Sequence, residues 1–472
     1  MVKLSQPGRF KRWPWILLAV VVILFILFAV NHFDLIPNAE SGLADIDSIL
    51  GDEDVAPPPP IPASPQEVAA QPKDTSALGG YDVLIADRGN NRIVEVTPDK
   101  KIVWGYQFKG LPPGYGADDA FFTDGGKTVI VSLENYQITE QIDYQTKKII
   151  WQYGIPGVRG SGSGYLYHPD DAYKLPNGDV TVADIQNCRV IEITPQKKIV
   201  HQYGSVRQCL SKPGFLDAPN SDTPLPNGDT LISTILDHSV LELDPQWNPI
   251  FSMSLPLVYP SDPQMTQAGN ILVAEYKNPG KIIEISKHGQ IVWEYDGENG
   301  IALNKPSLAM ELPNGNILAN DDFNHRVIVI DKQTKKIIWQ YGVTGKPGDG
   351  ATQLNIPDGL DIIMRNSTSS MTTPTSTIYT VGEVTRHAQS FIGQTLLIRG
   401  YLLRKETGYI IFSDEPTGTI SRFDLPVTGQ GIDLMQPNQA YLVEGNFLSH
   451  GLTPINGSVY HLELSAPLKT TD

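Results

Sequence analysis

His168-Pro-Asp-Asp-Ala-Tyr-Lys-Leu-Pro-Asn-Gly-Asp-Val-Thr-Val-Ala-Asp-Ile-Gln-Asn-Cys-Arg-Val-Ile-Glu-Ile-Thr-Pro-Gln-Lys-Lys-Ile-Val-His-Gln-Tyr-Gly204 decides the fold. Alternating apolar residues mark short strands at Val180–Ala183, Val190–Ile193 and Ile199–Tyr203, with a further strand before Pro176-Asn177-Gly178. Asn-Gly there predicts a type I′ hairpin turn. The same pattern returns at Lys305–Gly342 and, less completely, near Ala117, Ala218 and Tyr259; a copy lacking its first strand opens at Tyr81. Trp104, Trp151, His201, Phe251, Trp293 and Trp339 close the six copies, at spacings of 47, 50, 50, 42 and 46 residues. Four strands (A to D) in such a period are one propeller blade, which cannot cover its own apolar faces and must stack in a ring.

The strand missing from the first copy reappears at the far end. Asn355-Ile-Pro-Asp-Gly-Leu-Asp-Ile-Ile363 carries the strand A pattern, so residues near 356–364 are predicted to complete blade 1 and close the ring. The fold class is therefore all-β: a six-bladed β-propeller over 79–365, closed by a C-terminal strand. A Ser/Thr-rich linker follows at 366–377. Five strand-like runs within 378–468 (Thr395–Leu403, Tyr409–Asp414, Ser421–Val427, Ala440–Phe447 and Val459–Leu464) suggest a small OB-like β-barrel, with a β-sandwich as the alternative.

The ends of the repeats carry a second message. Asp87-Arg-Gly-Asn90-Asn-Arg92, Asp184-Ile-Gln-Asn187-Cys-Arg189 and Asp321-Asp-Phe-Asn324-His-Arg326 share an Asp-x-x-Asn-x-Arg turn. Together with the Trp-Gln-Tyr-Gly strand ends, these turns make residues 81–364 resemble NHL-repeat and arylsulfotransferase-type propellers. The resemblance implies a six-bladed ring; it does not imply one activity, because propellers host many. The turns read as structural, with Asn in the left-handed conformation and Asp pairing with Arg. The sharper reading makes Arg92, Arg189 and Arg326 anion contacts on the upper face. An arylsulfotransferase-type site implies a channel histidine. Only His168 starts a strand A, so His168 is the one candidate base or nucleophile and the transferase pattern is otherwise missing.

Aligning the A strands puts Asp118, Asp170, Asn220, Ser261, Ser307 and Asp358 in one column, expected as a ring at the channel mouth. Asp118, Asp170 and Asp358 suit a hard cation such as Ca²⁺, and lactonase-like propellers are similar in placing a metal on the axis. The alternative is that such residues start strands by bonding backbone amides. Neighbouring Asp119, Asp171 and Asp262 add negative potential. Cys188 and Cys209 fall in loops on one face and are expected either as a disulfide or as two free thiols.

Ahead of the ring, residues 1–12 are basic and 13–31 hold an uncharged apolar run from Trp13 to Val30. That run predicts one transmembrane helix in the plasma membrane, with the N-terminus cytoplasmic and the bulk extracytoplasmic. A cleaved signal peptide is the competing reading, although the run is long for one and no small-x-small site follows. Residues 32–78, with Pro57-Pro58-Pro59-Pro60, are expected as a disordered stalk. Of 472 residues, 36 are Lys or Arg and 52 Asp or Glu, a net charge of −16, which argues against a nucleic-acid partner. The function expected is binding of a protein, peptide or glycan. The alternative is an extracytoplasmic hydrolase or arylsulfotransferase-like transferase at the channel, with Ca²⁺ as its possible cofactor.

Overall fold

A computed structural model describes residues 75–225, 227–364 and most of 378–464. The expected membrane span and nearly all of the stalk lie outside these residues, and no described helix is long and apolar enough to cross a membrane. Six four-stranded antiparallel sheets make the propeller. The blade that carries the quoted repeat consists of Pro169–Lys174, Val180–Asp184, Arg189–Ile193 and Ile199–Gly204. Blade 1 is built from both ends of the repeat region. Its strand A is Pro357–Ile363, which pairs antiparallel with Asp82–Asp87 and sets Leu360 opposite Ile85 and Ile362 opposite Val83. These four side chains are buried in one core cluster, so the closure is sealed by apolar area as well as by ladder bonds. Ala77 and Leu78, assigned to the stalk by sequence, are buried in that same core, and the Ala77 carbonyl accepts from Asn314 and Asn316 of blade 6.

Neighbouring blades are stitched at their outer ends. The indole Nε1–H groups of Trp104, Trp151, Trp293 and Trp339 donate to the carbonyls of Tyr144, Pro195, Lys332 and Pro98 at 2.8, 3.2, 2.9 and 2.9 Å. Each acceptor lies in the C–D turn of the next blade, and the last of these bonds runs from blade 6 to blade 1. In the remaining two blades His201 meets Trp247, and Phe251 meets Lys287, at the corresponding place. The glycine that ends each Trp-Gln-Tyr-Gly run is required for close approach. A Cβ on Gly342, whose φ is 92°, would stand 2.2 Å from the His325 carbonyl oxygen.

Two local expectations are corrected. The Leu175–Gly178 hairpin is a type I turn with Gly178 alone at positive φ. The Gly178 amide bonds to the Leu175 carbonyl, and the Leu175 amide bonds to the Asp179 carbonyl. Pro176 fixes a negative φ at the first central position, which rules out type I′. In the Asp-x-x-Asn-x-Arg turns the left-handed residue is not the Asn but the one after it: Asn91, Cys188 and His325, at φ 52°, 54° and 55°. Asn90, Asn187 and Asn324 each end a 3₁₀ turn and donate their side-chain amides to the Asp.

The C-terminal unit is a closed five-stranded barrel of Thr395–Glu406, Tyr409–Ser413, Leu425–Thr428, Ala440–Ser449 and Tyr460–Leu464. The strands run first-second-third-fifth-fourth and back to first, with the third and fifth parallel, which is a Greek-key closure of OB type. An additional strand, Ile378–Thr380, and two short helices, Val381–Arg386 and Ala388–Phe391, precede it. Val384 and Phe391 of those helices are buried against the barrel core. Met364, at the end of the closing strand, touches both cores and accepts the Tyr379 hydroxyl at its sulfur, 3.3 Å away.

Candidate functional site at the channel mouth

The Asp and Arg shared by the three Asp-x-x-Asn-x-Arg turns are spent on structure. Asp87, Asp184 and Asp321 are buried and pair with Arg92, Arg189 and Arg326 at 2.6, 2.8 and 2.8 Å. Each Asp also accepts a backbone amide from the loop leading into a strand A: Asn355, Tyr167 and Asn304, all at 2.7 Å. The three arginines therefore hold loops in place, with Arg189 and Arg326 almost wholly buried.

The residue that follows strand B points elsewhere in three blades. Arg88, Glu134 and Tyr276 begin the B–C connections of blades 1, 2 and 5 and reach the mouth of the channel. There they line a cavity of about 20 Å³ with Asp118, Asp170, Tyr259, Ser261, Asp262, Ser307 and Asp358. Five members of the column expected from the A strands are thus brought together. The sixth, Asn220, is tied to it by donating to the Ser261 hydroxyl at 3.0 Å. Arg88 is the hub. Its Nη1 lies 2.6 Å from Asp118 and 3.1 Å from Asp358, and its Nη2 lies 3.1 Å from Glu134. With only 5% of Arg88 exposed, these charges meet largely out of water, where their interaction is strong.

Arg88 thus occupies the place between Asp118 and Asp358 that the sequence suggested for a cation. Three carboxylates do converge, one residue further along three A strands: oxygens of Asp119, Asp171 and Asp262 all lie within 4.8 Å of one another. The cause is a β-bulge. Between Pro169 and Ala172, and again between Ser261 and Gln264, strand A has one residue more than its partner. Strict alternation is broken, so consecutive acidic residues both serve the channel. Asp170 and Asp171 have their proton affinities raised well above the usual carboxylate range, first by burial and then by neighbouring carboxylates that include Asp119.

His168 stands behind this site. Its Nδ1 is 3.5 Å from Glu134, itself a partner of Arg88, and its ring packs edge-on against Tyr167. His168 does not line the mouth. Its φ of 52° is shared by Ala218, Lys305 and Ile356 at the same place in their blades, so the backbone there, rather than the imidazole, is the common feature. Cys188 and Cys209 are joined by a disulfide across the loops flanking blade 3.

Arg88, Glu134 and Tyr276 were missed by sequence reasoning. No recurring neighbour marks them: in aligned turns this position is Arg, Glu, Ile185, Ile235, Tyr and Asp322, and the flanking Asp and Arg recur in only three of the six blades, of which blade 1 alone carries one of these residues. Tyr276 packs against Tyr259 at 5.2 Å between ring centroids, and the Lys305 ammonium sits 5.1 Å from the Tyr276 ring.

No protein-family model and no curated protein matches the chain. Among solved structures it is similar to a Bacteroides caccae protein of unknown function, at 17% identity and a TM-score of 0.46, over 61% of this chain and all of that one. A streptogramin B lyase matches at 14% identity and 0.38, over 63% and 90%. The nidogen/laminin complex matches at 12% and 0.43, over 60% and 98%.

Proposed function

We propose that this chain is a membrane-tethered, extracytoplasmic binding propeller whose channel mouth accepts a positively charged group presented by a protein or peptide. The observation that carries this reading is the lining of the mouth. Asp118, Glu134, Asp170, Asp262 and Asp358 face a single guanidinium, Arg88, beside the Tyr259–Tyr276 pair. A lysine or arginine side chain entering there would gain charge-assisted bonds and an aromatic wall. The cavity takes little more than a water-sized group, so the charged tip of one side chain would enter and the rest of the ligand would lie on the rim. The tether rests on the Trp13–Val30 run and the basic residues before it; the Cys188–Cys209 disulfide supports an oxidising compartment.

The test is titration of the purified full chain with short lysine-rich, glutamate-rich and neutral oligosaccharide ligands. Lysine-rich peptide should bind, more weakly at high salt, and Asp170→Asn should weaken it roughly tenfold, the effect of about 1.4 kcal/mol. Preference for the glutamate-rich peptide, or oligosaccharide binding indifferent to Asp170→Asn, would refute the reading. Hydrolysis at the mouth is the second reading. It is favoured by the raised proton affinity of Asp170 close to carboxylates held by Arg88, an acid beside bases. Turnover of the bound peptide would mark it.

A further inference from the structure

Beneath the mouth lies a second, drier set of oxygens. Asp119, Asp171, Asp222 and Asp262 come from the A-strand segments of blades 2, 3, 4 and 5, and none is more than 3% exposed. No described N–H or O–H donor reaches either oxygen of Asp171, or Oδ1 of Asp119 and of Asp262. Buried carboxylates ordinarily collect donors or a counter-charge. Arg88 pairs with Asp118, Glu134 and Asp358 at the rim and its charge also reaches Asp119, one cation set against four further carboxylates. A separate observation concerns Tyr173. Its hydroxyl has no hydrogen-bond partner among the described residues although the residue is only 9% exposed, and the phenol lies within the field of these same four carboxylates. A buried phenol oxygen beside an acidic nest is one more donor that a shared cation would satisfy.

We infer that Asp119, Asp171 and Asp262, with Asp222 and the Tyr173 hydroxyl around them, form a buried site for a divalent cation of the calcium class on the propeller axis. The donors are oxygens only, which selects a hard cation over zinc or copper. Their mutual spacing, within 4.8 Å, lets one ion touch all three carboxylates, and a buried cage of protein oxygens suits Ca²⁺ rather than Mg²⁺, which keeps several of its waters. Asp262 also lines the mouth cavity, which gives the ion an entry path. Gly359 supplies clearance: a Cβ there would meet Asp119 Oδ1 at 2.3 Å. The bound ion joins the inner strands of separate blades across the channel, so its effect is to lock the ring. This site does not depend on what the mouth binds.

The experiment uses the full chain, stripped with chelator and dialysed. Addition of 1 mM CaCl₂ should raise the melting temperature by about 5 °C or more, and equilibrium dialysis should find one ion per chain. Asp171→Asn keeps the shape and removes one buried charge. It should melt no lower than the metal-free parent and should lose the calcium shift and at least tenfold in calcium affinity. If Asp171→Asn does not fold, Asp119→Asn serves the same purpose. Asp170→Asn, chosen for the mouth, should keep the calcium shift, so failure of one site is distinguishable from failure of the other. A parent chain that binds no calcium, a shift that survives Asp171→Asn or Asp119→Asn, or an equal shift with MgCl₂ would each overturn the assignment.

Discussion

The outer and inner ends of the blades obey opposite rules. Outside, every blade does the same thing: an aromatic residue, or His201 in blade 3, reaches the C–D turn of the next blade, and Trp339 carries the pattern across the seam to Pro98. Inside, the blades diverge. The position that is Arg88 in blade 1 is Glu134 in blade 2 and Tyr276 in blade 5, and the A-strand pairs change from Asp118-Asp119 to Ser307-Leu308. Uniformity marks what any ring requires, which is blade-to-blade contact. Departure from uniformity marks what this ring does.

The largest effect should come from breaking the ring itself. Removing residues 354–364 deletes Leu360 and Ile362 from the core and bares the edge of Asp82–Asp87. Cooperative melting of the propeller should be lost; a full-length melting curve that survives the deletion would show that closure is dispensable. Next comes the inner hub. Arg88→Ala leaves Asp118, Glu134 and Asp358 without their shared guanidinium and should cost about 3–5 kcal/mol by denaturant unfolding, far more than a surface ion pair. A cost below about 1 kcal/mol would mean the inner rim is not the coupled network its distances indicate.

The smallest effect is a pH dependence that sharpens the comparison at the seam. His325 Nδ1 accepts the Ile356 amide at 3.2 Å, just before the closing strand, and burial lowers the pKa of His325 to about 4. The unfolded chain protonates this residue near 6.5, so between pH 6.5 and 4 the unfolded state binds the extra proton. Stability should therefore fall by about 1–3 kcal/mol as pH drops through that window. His325→Gln should remove that part of the pH slope; an unchanged slope would assign it to other groups.

Much of the fold was legible because its causes are local. Period-2 apolar alternation, Gly after Asn and a recurring Trp can be counted along the chain, and they led directly to six blades and a borrowed strand. The hairpin turn departs from the Asn-Gly expectation because Pro176, which forbids positive φ, outweighs the signal next to it. The channel was half legible. The column from Asp118 to Asp358 does meet at the mouth, but the A-strand bulges recruit the following residue as well, and a bulge leaves no mark in hydrophobic alternation. Arg88 was hidden for a related reason, since a 3₁₀ turn follows neither the strand nor the helix period.

The sequence by itself determined the number of blades, their closure by residues near 356–364 and the acidic balance of the chain, because each is a property of composition or of short-range pattern. Only the tertiary structure decided which charges meet. Arg88 and Asp358 are 270 residues apart and become neighbours because the ring closes at blade 1. Asp119, Asp171 and Asp262 converge because separate blades aim their first strands at one axis. Such proximity depends on the summed rotation of all the sheets, which no local stretch of residues encodes.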